Sequence, residues 1–143
     1  MFVSRYARSV EAAVSLVPRA HGAQAGVLLY EDDLNYVKLV VEGDKVGGTM
    51  IVLAAQIDGV PKVLAKLEDF PNDGTAIALS LSAGESGELT ASANEIALAG
   101  VGKDEAIAIF LASGRRLRAT VMAHSFEAEE KWASFESFTN GNH

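Results

Sequence analysis

Hydrophobic and polar positions alternate along most of this chain, in short runs separated by glycine-bearing turns. In the first run, 10–17, Val10, Ala12, Val14 and Leu16 alternate with Glu11, Ala13 and Ser15. That period of two predicts a strand with one face on a core. A helix is the rival reading, because Val10, Ala13, Val14 and Val17 also fit a 3.6-residue repeat. Pro18 and the His21-Gly22 step end the element in either case.

Two apolar runs, 24–30 and 36–42, flank the turn-forming residues 31–35 and predict a hairpin. In its second arm Val37, Leu39 and Val41 point one way, and Tyr36, Lys38, Val40 and Glu42 the other. The first three form the expected core face, since a lysine and a glutamate do not share a buried layer. Residues 43–48 form a turn and 49–57 a strong strand. Asp58-Gly59 is a tight-turn dipeptide, and Pro61 stands where a strand starts, a permitted place for proline. Val63, Ala65 and Leu67 then alternate with Lys62, Leu64, Lys66 and Glu68. A turn at 71–74 leads to a strand over 75–82, with Ile77, Leu79 and Leu81 on one face. The turn at 84–87 leads to a strand over 88–93. Further strands are expected over 106–111 and 117–127, joined by a turn at 114–116.

About nine strands with turns every 8–12 residues predict an all-β antiparallel protein. One wet face per strand favours a two-sheet β-sandwich over a barrel. The whole chain, 1–143, reads as one sandwich domain with a core over about 8–127. The tail 128–143 differs. Trp132, Phe135 and Phe138 recur every three residues, which suits one face of a short helix or an extended segment laid on the sandwich. Residues 140–143 are expected to fray.

Composition narrows the function. At 143 residues and 49% hydrophobic the chain buries a core without disulfides or metal, and it has no cysteine. Its net charge of −7 marks an acidic protein that repels a phosphate backbone, so nucleic acid is not an expected partner. No run approaches 18 apolar residues, so no membrane span is expected. Residues 1–8 lack the apolar stretch of a signal peptide. A cytoplasmic protein and a module excised from a secreted one both fit.

No chemical motif dominates. His21, His124 and His143 form no metal-binding arrangement, and no nucleophile elbow or phosphate-binding glycine loop occurs. His124 reads as a structural histidine. Glu31, Asp32 and Asp33 form an acidic turn. Turn formation and solubility account for it first, a structural calcium held by Asp32 and Asp33 second, and catalytic carboxylates last. Glu127, Glu129 and Glu130 read as a solvated run. Arg115, Arg116 and Arg118 form a basic cluster that balances acidic neighbours or grips an anion or a second subunit. Tyr30 and Tyr36 flank the acidic turn, with Asn35 and Lys38 close by, and Trp132 is the sole tryptophan. Sugar sites set a few polar groups on an apolar platform. The candidate ligand-binding residues are therefore Tyr30, Asp32, Asp33, Asn35, Tyr36, Lys38 and Trp132, with ordinary packing as the rival account of each aromatic. No catalytic residue is assigned.

The stretch Gln24-Ala25-Gly26-Val27-Leu28-Leu29-Tyr30-Glu31-Asp32-Asp33-Leu34-Asn35-Tyr36-Val37-Lys38-Leu39 resembles the Q-A-G-L-x-x-Y-x-D-D-x-N-Y-V-K-L hairpin of concanavalin A-like domains. That hairpin occurs in the C-terminal domain of many β-xylosidases and arabinofuranosidases. It also occurs in small stand-alone relatives grouped with the regulation-of-enolase protein. Asp58-Gly59-Val60-Pro61 is similar to the family's next turn, Ile107-Ala108-Ile109-Phe110 to the strand before its penultimate loop, and Ala123-His124-Ser125-Phe126-Glu127 to its closing strand. The resemblance implies a jelly-roll sandwich that accompanies or assists carbohydrate-active enzymes. Catalytic members of the wider superfamily carry an E-x-D-x-x-E strand. Glu127-Ala128-Glu129-Glu130 is the nearest approach here and has the wrong spacing.

The leading expectation is a non-catalytic carbohydrate-binding or accessory module whose partner is an oligosaccharide or polysaccharide. The alternative is a protein-interaction module that forms a homodimer or contacts a neighbouring enzyme domain. A small glycoside hydrolase ranks third.

Overall fold

The computed structural model describes residues 3–16, 24–43, 48–71, 76–84, 87–98, 105–112, 117–124 and 133–141. At 3–6, 15–16, 105, 123–124 and 133–141 only the backbone is described. Eleven strands and one helix occur among these residues. They are β1 (Val3–Tyr6), β2 (Ser9–Leu16), β3 (Gln24–Asp32), β4 (Asn35–Gly43), β5 (Thr49–Ile57) and β6 (Val60–Leu67). β7 (Ile77–Ala83), β8 (Leu89–Ala93), β9 (Ile96–Ala97), α1 (Glu105–Ala112), β10 (Arg118–His124) and β11 (Ala133–Gly141) follow.

Two antiparallel sheets form a sandwich. One has six strands in the order β1-β10-β3-β4-β5-β6, and the other five in the order β11-β2-β7-β8-β9. The alternation that predicted the strands also fixes what lies between the sheets. Val10, Ala12 and Val14 of β2 and Ile77, Leu79 and Leu81 of β7 are buried, as are Val37, Leu39 and Val41 of β4 and Ile51 and Leu53 of β5. Each such large aliphatic side chain contributes about 1.5–3 kcal/mol by leaving water. The strand reading of 10–17 therefore prevails over the helical one, because Val10, Ala12 and Val14 all reach the core.

The region 106–111, expected as a strand and compared above with a strand, is helical. α1 buries Ile107, Phe110 and Leu111 and leaves Ala106 and Ile109 exposed. The i, i+3, i+4 spacing of the buried three is a helical stripe. In a run this short and apolar, the two periods are hard to separate. Arg8 holds the helix end. Its guanidinium donates to the Leu111 carbonyl at 2.7 Å and to the Gly84 and Ala83 carbonyls at 2.8 and 3.2 Å. Gly87 lies against the helix, with φ +91° and space for a Cβ only 2.5 Å from the Ala108 carbonyl oxygen. That contact requires glycine.

Two strands, β1 and β9, are additional to those expected. β1 was not expected, and it pairs with β10 from Val3↔Val121 to Tyr6↔Arg118. The strand read as 117–127 spans Arg118–His124 among the described residues. In the tail, the extended alternative holds. β11 pairs with β2 from Ala133↔Leu16 to Gly141↔Ser9, with a bulge between Phe135 and Ser137. No helix among the described residues is long and apolar enough to cross a membrane.

Candidate functional site

The strongest concentration of sequence-selected residues stands at one end of the six-stranded sheet, on the face turned away from the core. The β3–β4 hairpin is tighter than the five-residue turn expected at 31–35. β3 runs to Asp32 and β4 starts at Asn35, leaving Asp33 and Leu34 as the turn, with a register shift between Tyr30 and Asp32. Asp32 secures this turn by accepting from the Leu34 amide at 2.9 Å and from Asn35 Nδ2 at 3.1 Å. The neighbouring β5–β6 turn has left-handed Asp58 (φ 50°) and Gly59 (φ 79°), the two-residue geometry that favours glycine. Asn35 Oδ1 accepts from the Asp58 amide at 3.0 Å, and the Leu34 carbonyl accepts from the Gly59 amide at 3.0 Å. The two hairpin tips are thereby tied side by side.

Strand register sets a polar and aromatic row just behind these tips. Arg118 of β10 is opposite Tyr30 of β3, Tyr30 is opposite Tyr36 of β4, and Tyr36 is opposite Gln56 of β5. Directly opposed residues share a sheet face. The Tyr30 and Tyr36 rings stack with centroids 6.3 Å apart and planes inclined by 25°. Both rings are half-buried, and Arg118 is exposed.

Hydrogen bonds join the row to the acidic turn. The Tyr30 hydroxyl donates to Asp33 Oδ1, Gln56 Nε2 donates to the Asp33 carbonyl at 2.9 Å, and the Tyr36 hydroxyl donates to Gln56 Oε1 at 3.3 Å. The bond to Asp33, with burial and the negative charges of Asp33 and Asp32, raises the Tyr30 pKa against a smaller pull from Arg118. One residue pair further along β4, Lys38 donates to Gln24 Oε1 at 3.2 Å, and Gln24 Nε2 donates to Glu42 Oε1 at 2.8 Å.

The structure thus brings Tyr30, Asp32, Asp33, Asn35, Tyr36 and Lys38 to one end of the six-stranded sheet, with Tyr30, Tyr36 and Lys38 on its outer face. Their roles differ by position. Asn35 is buried, and both ends of its amide are engaged within the fold. Asp32 and Asp33 are exposed, with one oxygen of each in the turn network. Among the described residues, no group of three or more histidine, aspartate or glutamate side chains is placed to hold a metal ion. Trp132 lies outside the described residues, as do Arg115 and Arg116 of the basic cluster. Two participants escaped the sequence reading. Gln56 links Asp33 to Tyr36 in the hydrogen-bond chain, and Arg118, read only as part of a basic cluster, enters the tyrosine row. Both follow from register across strands, and no local spacing announces either.

The comparisons agree on the architecture. No curated protein matches the sequence. Among solved structures, xyloglucan-locus GH43B of Bacteroides ovatus superposes with a TM-score of 0.73 at 18% identity, covering 96% of this chain and 28% of that one. The GH43 protein BlXynB of Bacillus licheniformis gives 0.69 at 19% identity, covering 94% and 27%. The carbohydrate-binding module CBM66 of Bacillus subtilis gives 0.62 at 12% identity, covering 96% and 78%. At these identities the likeness is one of fold, and the chain spans little more than a quarter of either GH43 protein. In sequence, residues 3–108 match the family described as the beta-xylosidase C-terminal concanavalin A-like domain, which covers most of both sheets. The chain belongs to that family.

Proposed function

We propose that this chain is a non-catalytic accessory module of a glycoside hydrolase, and that it holds an oligosaccharide or polysaccharide on the outer face of its six-stranded sheet. The observation that carries this reading is the row of Arg118, Tyr30, Tyr36 and Gln56 across four adjacent strands. A pyranose needs an apolar surface for its C–H groups and fixed polar partners for its hydroxyls. The stacked tyrosines supply the first. Asp32, Asp33, Gln56 and Lys38 supply the second, and Asn35 holds the turn that positions them. Family membership supports the accessory role, and the fold it shares with a carbohydrate-binding module supports a sugar as partner.

A glycan array of the purified chain, run with and without calcium, tests the reading. Binding to one oligosaccharide class is expected, and Tyr36→Ala should weaken it by about tenfold or more, the size of losing one stacking contact. Calcium dependence would add a cation at Asp32 and Asp33. A blank array in both conditions would overturn the sugar reading.

One observation favours a second, compatible role. Leu34, Val60 and Val63 are each more than half exposed, at the β3–β4 turn and along edge strand β6. These side chains suit contact with a neighbouring enzyme domain. A blank array together with binding to such a domain in a pull-down would leave this role standing alone.

A further inference from the structure

The tyrosine row does not end at Gln56. Gln56 of β5 is opposite Pro61 of β6. In the next row Lys38 of β4 is opposite Ala54, and Ala54 is opposite Val63. Pro61 and Val63 therefore share the outer face with Tyr36. Strict alternation would group Val63 with Ala65 and Leu67, which pack against the core. The register shift between Leu53 and Ala54 breaks that alternation. Leu64 and Ala65 both pack against the core, and Val63 is turned outward, 56% exposed. Bulges re-aim side chains in this way and are over-represented beside functional sites. Val60 differs, because its partner Ile57 packs against the core.

The result is an apolar shelf beside Tyr36. Half-buried Ala54 is its floor, and exposed Pro61 and Val63 are its rim. The polar neighbours of the shelf lean the other way. The Lys38 ammonium is drawn to Gln24 of β3, on the side of β4 opposite β5. The Gln56 amide is held on the turn side, by the Asp33 carbonyl and the Tyr36 hydroxyl. Two strand spacings, about 10 Å, separate Tyr36 from Pro61. A pyranose on Tyr36 thus has polar partners toward the acidic turn and an apolar surface toward β6. Further sugar hydroxyls gain nothing there, since alanine, proline and valine side chains form no hydrogen bond. An alkyl or aryl group gains by leaving water.

We infer that this shelf is a subsite for the aglycone, the non-sugar group of a glycoside. The sugar lies on Tyr36, and an alkyl or aryl group lies on Ala54, Pro61 and Val63. The inference rests on the sugar site proposed above. The test follows backbone amide shifts by NMR during titration of the whole chain. The probes are the methyl and hexyl β-glycosides of xylose, glucose and galactose, with hexan-1-ol as control. For a sugar that binds, the hexyl form should bind about tenfold tighter, the gain from a few partly buried methylenes. Its additional shifts should fall on residues 54 and 62–64. Val63→Ser should remove the preference and keep methyl-glycoside binding, and Pro61→Ser should reduce it. Tyr36→Ala should weaken both forms alike. Equal binding of the two forms, or a preference that survives Val63→Ser, would overturn the inference and leave the sugar site standing. Hexanol binding as tightly as the hexyl glycosides would also overturn it, because the shelf would then be unconnected to the sugar. No shifts with any glycoside would overturn it as well. The sugar site itself stands or falls on the glycan array.

Discussion

Asn35 is 7% exposed, and its amide spans two hairpins through bonds to Asp32 and to the Asp58 backbone. Its removal takes the partner from the Asp58 amide N–H in a part-buried bond, at a cost of about 0.5–1.5 kcal/mol. Asn35→Ala should lower the unfolding free energy by that amount in a urea titration. Asn35→Asp keeps the acceptor for the Asp58 amide but sets a second carboxylate against Asp32. Repulsion between the two carboxylates should make this variant less stable where both are charged, and protonation at low pH should relieve it. Unfolding of the two variants at pH 7 and pH 4 separates a lost bond from an added repulsion. The sequence flagged Asn35 through its place beside two tyrosines and two aspartates. That it works inside the turn depends on Asp58, 23 positions away, and no local pattern reports such a partner.

Among the elements, α1 shows how a local reading fails. The run 106–111 is almost wholly apolar, so a period of two and a period of 3.6 are nearly indistinguishable within it. What decides the matter is the surroundings. Gly87 lets the backbone approach at Ala108, and Arg8 satisfies the Leu111 carbonyl that the helix leaves open. Arg8 supplies the positive charge favoured at a helix C-terminus, where the helix has no basic residue of its own. Arg8→Ala should therefore cost about 2–4 kcal/mol, read as a lower denaturation midpoint, because three carbonyls lose one charged donor. Arg8→Lys should recover less than half of this, since one ammonium cannot reproduce the spread of the guanidinium fork. The strands, by contrast, were legible. Their alternation is imposed by burial on one face, and that constraint is written into every second residue of β2, β4 and β7.

For the whole molecule the central issue is how two open sheets avoid pairing with others. β6 is an edge of the six-stranded sheet, and it carries Pro61, Lys62 and Lys66 with a register shift against β5 between Leu53 and Ala54. Proline, lysine and bulges each discourage the addition of another strand. At one edge of the other sheet β9 is two residues long, too short to template a partner. Replacing both lysines, Lys62→Val with Lys66→Val, should raise the mass measured by light scattering above that of the parent chain. An unchanged mass would mean that Pro61 and the bulge protect this edge without them. The tyrosine row stands at one end of the outer face of the six-stranded sheet, a face that also buries Val40 and Val52.

The sequence by itself determined the class of this protein. Period-two alternation, turn dipeptides and the hairpin over 24–39 specify an antiparallel sandwich, because each strand must keep one face dry and each tight turn needs residues that tolerate its backbone. It also picked out the tyrosines and acids of one hairpin, which are neighbours in the chain. The tertiary structure alone decided the rest. Gln56 and Arg118 join the tyrosine row, Arg8 holds the end of α1, and Glu11 meets Ser80 of the neighbouring strand. Each of these depends on register between segments far apart in sequence. A one-residue slip would send those side chains to the other face. The alternation fixes which face of a strand is buried. It does not say which residue of another strand lies opposite, and that pairing is what makes a site.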